Sequence, residues 1–169
     1  MSQSGFEIRR AAPQDVPTLL EFIRELAEYE RLTHLLAANA ARIEEELFGE
    51  GPRVEALLGH CGTEPAAFAV YFHNFSTFLG RRGLYLEDLF VRPRFRRRGY
   101  GRAMLRELAR IAHERGCGRF EWTVLDWNAP AIDFYRSLGA EVLPDWRICR
   151  LTGDALARLA RLTNGAEES

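Results

Sequence analysis

Between Gly83 and Gly116 the chain passes once from a strand-like apolar run to a helix-like apolar period, and the join is basic and glycine-containing. The run Leu-Tyr-Leu-Glu-Asp-Leu-Phe-Val within Gly83–Arg92 is too apolar for a surface edge and reads as an interior strand. After Pro93 the period changes: Met104, Leu105, Leu108, Ile111 and Ala112 recur at helical spacing, and Gly116 closes that helix. Between the two stands Arg96-Arg97-Arg98-Gly99-Tyr100-Gly101. Glycines two apart let the backbone turn tightly and let a bulky anion approach peptide N–H groups. The first turn of the following helix adds unpaired donors and a partial positive charge, which favour a pyrophosphate. Arg96 and its neighbours can add charge-assisted bonds to phosphate oxygens. On spacing alone, a tight strand-to-helix turn with solvated arginines is an equal reading. The dinucleotide pattern G-x-G-x-x-G is not met, because Met104 holds the place of its third glycine.

The remaining elements fall around this unit. Phe6–Arg10 alternates like a short strand, and Pro13, Gln14 and Asp15 announce a helix with Leu19, Leu20, Phe22, Ile23, Leu26 and Ala27 on one face. A second helix is expected over Ala40–Phe48, stopping at Gly49, then two strands over Arg53–His60 and Ala66–Phe75. Arg119–Leu125 reads as another strand, Asn128–Leu138 as a short helix ended by Gly139, and Glu141–Leu151 as the last strand. A final helix from about Asp154 to Leu162 leads into a polar tail. With no repeat or evident linker, the expectation is one α/β domain over residues 1–169, its core running from about 6 to 163.

Hydrophobic residues at 47% and charged residues at 28% are the balance of an ordinary globular chain. No apolar run approaches the ~18 residues of a membrane span, and the N-terminus lacks the regions of a secretory signal, so a cytoplasmic protein without a membrane partner is expected. Cys61, Cys117 and Cys149 form no metal-type pair and read as reduced and structural, and the four histidines have no ligand spacing. No metal is expected. The net charge of −1 hides a cluster of Arg92, Arg94, Arg96, Arg97, Arg98 and Arg102, which composition alone would assign equally to phosphate groups or to nucleic acid.

Arg96-x-x-Gly99-x-Gly101 resembles the acetyl-CoA signature of the GNAT superfamily of N-acetyltransferases. Leu26-Ala-Glu-Tyr-Glu30, Tyr85-Leu-Glu-Asp88, Asp126-Trp-Asn128 and Phe134-Tyr135 extend that resemblance to the spermidine/spermine and thialysine branch. The resemblance implies a mixed, mostly antiparallel central sheet with two splayed parallel strands and flanking helices. It implies acetyl-CoA as cosubstrate, with the main chain of Leu89, Phe90 and Val91 along the pantetheine. The turn of Arg96, Arg97, Arg98, Gly99, Tyr100, Gly101 and Arg102 would take the pyrophosphate, and Asn128, Pro130 and Tyr135 would lie near the thioester. It also implies Glu87 as general base, Tyr135 as general acid, and Tyr29, Glu30, Glu87, Asp88, Glu121 and Trp122 as the border of an amine acceptor. Close relatives form homodimers through their last strands, so a homodimer is implied by the same resemblance.

From the residues alone, Glu87 would be a carboxylate paired with an arginine, and Tyr135 a packed core tyrosine. The family context raises the catalytic roles above these. Glu87 and Asp88 are adjacent and point to opposite faces of a regular strand, so both can serve one site only if the strand bulges there. Ala140 reaches Trp146 through only Glu-Val-Leu-Pro-Asp, shorter than the family's acidic connection, which leaves open whether Asp145 replaces a family acceptor carboxylate. A nucleic-acid module lacks a recognition-helix signature here, and a non-catalytic acyl-CoA sensor would not need both Glu87 and Tyr135. An acetyltransferase for an antibiotic or a protein N-terminus stays open, since one fold serves many amines.

Overall fold

The computed structural model describes residues 5–51 and 53–161. The N-terminal residues before Gly5 and the expected polar tail beyond Arg161, with Leu162, lie outside the described residues. The chain divides between Thr123 and Val124 into two compact units.

The first unit is built on a five-stranded sheet in the order β1 (Phe6–Arg10), β2 (Glu55–Cys61), β3 (Glu64–Ser76), β4 (Arg81–Val91) and β5 (Phe120–Trp122). Neighbours run antiparallel except β4 and β5, which are parallel. Helix α1 (Val16–Tyr29) follows a single tight turn at Pro13–Asp15. The Asp15 carboxylate accepts the Ala12 N–H at 2.8 Å and a forked bond from Arg9 at 2.6 and 2.8 Å, so this charge can be buried at the helix entry. Helix α2 (Ala40–Phe48) begins where Asn39 accepts the Arg42 N–H at 3.1 Å. Helix α3 (Tyr100–Glu114) ends at Arg115, and Gly116 follows at φ 66°. Its start, its apolar face and its end agree with the sequence pattern.

One face of the sheet carries α1 and α2. Leu19, Phe22 and Leu26 pack with Leu47 against Ala56, Leu58, Phe68 and Phe90, and the Phe22 and Phe68 rings stack 5.1 Å apart. Burying each such side chain is worth about 1.5–3 kcal/mol.

The register of β3 and β4 shifts in mid-strand. Tyr71 faces Leu86 but Val70 faces Asp88, so Glu87 is an extra residue with no partner on β3. This is a β-bulge. Ahead of it the even positions of β4 share the face of Tyr71, which carries Arg115 over its ring. Beyond it they share the face of Val70, and Asp88 and Phe90 therefore turn toward α1. The ladder between β4 and β5 covers only Leu84, Tyr85 and Leu86, opposite Phe120, Glu121 and Trp122. From Glu87 to Val91, β4 has no ladder partner on that side among the described residues, which is the splay expected of the two parallel strands. The ordered part of β5 is shorter than the expected Arg119–Leu125 because pairing ends at Trp122.

The second unit holds α4 (Ala129–Ser137) and α5 (Gly153–Arg161). Asn128 caps α4 by accepting the Ala131 N–H at 3.4 Å, and Gly139 follows the helix at φ 89°. The strand expected over Glu141–Leu151 is not formed. Alternating apolar residues make a strand only when another backbone completes their hydrogen bonds, and no described strand pairs with this segment. Its side chains stand largely in solvent, with Trp146 79% exposed. No described helix is long and apolar enough to cross a membrane.

Candidate active site

The turn after β4 has the backbone of an anion cradle. Pro93–Phe95 makes one tight turn, Arg96 is extended, and Arg97 (φ 61°) and Gly99 (φ 80°) are both left-handed. Such alternation bends successive N–H groups into a concave nest. Gly99 starts α3 without a capping side chain, so the first-turn N–H groups of Tyr100, Gly101 and Arg102 have no intrahelical partner. The first helical bond of α3 is made at Ala103, whose N–H donates to the Gly99 carbonyl at 3.0 Å. Arg97 and Arg102 are exposed beside these donors. Main-chain donors with flanking guanidinium groups fit a pyrophosphate.

The arginine cluster, uniform in sequence, divides by role. Arg92 bonds to Glu25 at 2.8 Å, Glu21 at 3.2 Å and the Pro65 carbonyl at 3.0 Å, and lies over the Phe22 ring. Arg94 pairs with Glu64. Arg96 donates from Nε to the Val91 carbonyl at 2.9 Å, with its guanidinium 4.7 Å from the Tyr29 ring centre and 5.3 Å from that of Phe90. It thereby ties the phosphate-type turn to the end of β4 and to the end of α1. Tyr100 turns its buried ring onto Phe6, at 3.9 Å, and its hydroxyl to the Cys61 Sγ, so what it offers the turn is its main-chain N–H.

Three carboxylates gather at the bulge. Glu87 is exposed at the extra position, while Asp88 is partly buried on the α1 face. Burial raises the Asp88 carboxyl to about 7, and the neighbouring charges of Glu87 and Glu30 push in the same direction. Burial also raises Glu30. Glu30 closes α1, and the chain turns away at Arg31 in a left-handed conformation (φ 60°). Tyr29, 41% exposed, sets its ring 6.2 Å from that of Phe90 beside this group. A partly buried carboxylate beside two others is a setting that favours a bound ammonium.

The other expected residues are placed differently. Glu121 is engaged by Asn74 at 2.7 Å and by Arg119 at 3.0 Å, so its charge is already balanced. Trp122 pairs with Leu86 at the last rung before the splay. Leu89, Phe90 and Val91 lie on the unladdered part of β4, with Phe90's ring in the core and its main chain at that edge. Asn128, Pro130 and Tyr135 belong to the second unit, where Asn128 and Pro130 open α4 and Tyr135, partly buried, lies against Phe134 at 5.6 Å. Sequence reasoning did not find the Arg96–Tyr29 contact or the depth of Asp88. Both arise between segments distant in the chain, and no local pattern announces them.

A model of the acetyltransferase (GNAT) family matches residues 17–140, a span that includes parts of both units. L-ornithine N5-acetyltransferase NATA1 of Arabidopsis thaliana is 34% identical over 92% of this chain and 88% of its own length. Thialysine N-epsilon-acetyltransferase of Sus scrofa is 35% identical over 90% of this chain and 96% of its own. Among solved structures, an integron cassette protein from the mobile metagenome of V. cholerae superposes with a TM-score of 0.78 at 28% identity, covering 94% of this chain and 99% of that one.

Proposed function

The chain belongs to the acetyltransferase (GNAT) family, and from that premise we propose that its acceptor is a small diamine-like molecule: a polyamine, a diamine or a thialysine-like amino acid. It is an N-acetyltransferase with acetyl-CoA as donor. Acetyl-CoA supplies an acetyl group activated as a thioester. The nest from Arg96 to Arg102 holds its pyrophosphate, and the main chain of Leu89, Phe90 and Val91 lines its pantetheine arm.

The observation that carries the acceptor class is the trio Glu30, Glu87 and Asp88 at the bulge, with the Tyr29 ring beside it. Two of the relatives described above are named for ornithine and thialysine, each of which bears a second ammonium besides the reacting amine. Asp88 and Glu30 hold the spare ammonium, and Tyr29 offers it an aromatic face. Glu87 takes the proton of the reacting amine, directly or through a water. An alkyl ammonium with pKa ~10.4 leaves about one molecule in ~2,500 free at pH 7, a cost of roughly 4.6 kcal/mol that such a base removes in large part. Tyr135 is the proton donor to the departing sulfur. The family match across both units supports reading residues 1–169 as one catalytic domain. The resemblance also supports a cytoplasmic homodimer.

The test is acetyl-CoA incubated with spermidine, short diamines, ornithine, thialysine, lysine, an aminoglycoside and a peptide N-terminus, following free thiol. Acetylation of an acceptor with a second ammonium, and poor use of a monoamine of equal length, is the expected result. Preference for the aminoglycoside or the peptide would overturn the acceptor class. Tyr135→Phe should lower kcat by about 10²-fold with acetyl-CoA affinity nearly unchanged, and unchanged turnover would remove Tyr135 as the acid.

A further inference from the structure

The opposite end of α3 carries a second basic site that acetyl transfer does not use. A cavity of ≈ 530 Å³ is lined there by Arg10, Arg53, Glu55, His73, Arg82 and Arg115, with Phe48 and Val54 among its apolar walls. These residues come from the end of β1, the approach to and start of β2, the later part of β3, the start of β4 and the C-cap of α3. With α3 running 15 residues from the phosphate-type turn to Arg115, the two ends stand roughly 22 Å apart.

The cavity is built rather than merely rimmed by loose side chains. Arg115 donates to Glu55 at 2.5 and 2.8 Å and approaches the His73 Nε2 at 3.3 Å. A guanidinium only donates, so Nε2 accepts and the ring proton sits on Nδ1. That Nδ1 is buried and has no hydrogen-bond partner. Burial, with Arg115 and Arg82 nearby, holds His73 below its ordinary pKa, so it adds no charge of its own to the cavity. Among the described residues the one carboxylate in the lining is Glu55, which Arg115 engages by a fork and Arg10 approaches at 3.8 Å. The lining thus carries four guanidinium groups to one carboxylate, with Glu107 also near enough to Arg10 to interact with it, and Arg53 and Arg82 are exposed at the cavity. Fixed donors and surplus positive charge are the complement of an acceptor-only, negatively charged group.

We propose that this cavity binds a small oxyanion, the carboxylate or phosphate of a small metabolite, at a site separate from the acetyl-CoA turn. The apolar walls suit a ligand with a short carbon skeleton beside its charge.

Calorimetry on the full chain, with inorganic phosphate, pyrophosphate and citrate as probes at constant ionic strength and chloride as control, tests this. NMR titration of the histidine side chains runs in parallel, and both are done with and without saturating CoA. Saturable one-to-one binding of a probe that persists under CoA, with the His73 pKa moving upward, is expected. Selectivity for phosphate or for citrate then identifies the source of the oxyanion. The double variant Arg53→Ala/Arg82→Ala, and Arg82→Gln alone as a milder change, should weaken that binding, the double variant by about tenfold or more, with the thermal midpoint as the check on folding. The proposal is overturned if no probe saturates beyond chloride, if saturating CoA abolishes the binding of every probe, or if the folded variants bind like the parent chain. None of these readouts depends on which amine the enzyme acetylates, so failure here leaves the acetyltransferase reading intact.

Discussion

The turn that follows β4 and the bulge within that strand are opposite in charge and opposite in how they are made. The turn at Arg96–Arg102 is local: two left-handed residues and one helix start, all within a few positions, create a set of main-chain donors. The acidic group at the bulge is assembled from α1 and β4, and it exists only because β3 pairs with β4 out of simple register. A site made of backbone tolerates side-chain change wherever the conformation survives. A site made of converging carboxylates depends on each one, and pays for their proximity in protonation.

The sharpest way to break the first region is Gly99→Asp. It forces a branched, negative side chain into a left-handed position at the centre of the nest. Acetyl-CoA affinity should fall by about 10³-fold, at least the scale of losing a preorganised donor set, read by calorimetry with CoA. Retained affinity would show that the cradle lies elsewhere.

Asp88→Asn tests the second region with two effects of opposite sign. It should lower kcat/KM for a diamine-like acceptor by about 10²-fold, while activity toward a monoamine falls less. The same change should stabilise the protein. Asp88 is raised to about 7 in the fold, against ~3.9 in an unfolded chain. The folded state therefore binds more protons between those values, and parent stability falls as pH rises through that window. Removing the carboxyl should add on the order of 2 kcal/mol at pH 8 and nothing near pH 4, measured by denaturant melts at both pH values. A variant no more stable at pH 8 would mean that burial and the acidic neighbours do not hold Asp88 above its ordinary pKa.

Arg96→Met probes the link between the regions. The guanidinium over Tyr29 and the bond to the Val91 carbonyl hold the turn and the end of α1 together. The variant should lose about tenfold in affinity for CoA and for the acceptor alike. A loss confined to CoA would make Arg96 a phosphate ligand only.

Much of this was legible before any coordinates. Helix α2 has the expected bounds Ala40–Phe48 and stops at Gly49, because helix ends are set by local signals. Helix α3 and the interior strand before it follow from the change of period around Pro93, and the tight turn between them from its glycines. The need for a bulge at Glu87 and Asp88 was also legible, as a condition for two adjacent carboxylates to serve one site. The strand expected over Glu141–Leu151 was misread because alternation records a willingness to pair and says nothing of whether a partner strand is present. Glu121, expected at the border of the acceptor, bonds to Asn74 and Arg119, contacts that no local pattern announces.

By itself, the order of residues determined the helices, the interior strand and the glycine turn, since each rests on spacing within one stretch of chain, and the family, which rests on several matching blocks along it. Tertiary structure decided which arginines are spent on Glu21, Glu25 and Glu64 and which remain for an anion. It also decided that Asp88 rather than Glu87 is the deeper carboxylate, and that His73 and four arginines meet in one cavity. Burial and electrostatic coupling are properties of distance in space, and residues far apart in sequence acquire that distance only when the sheet closes its register.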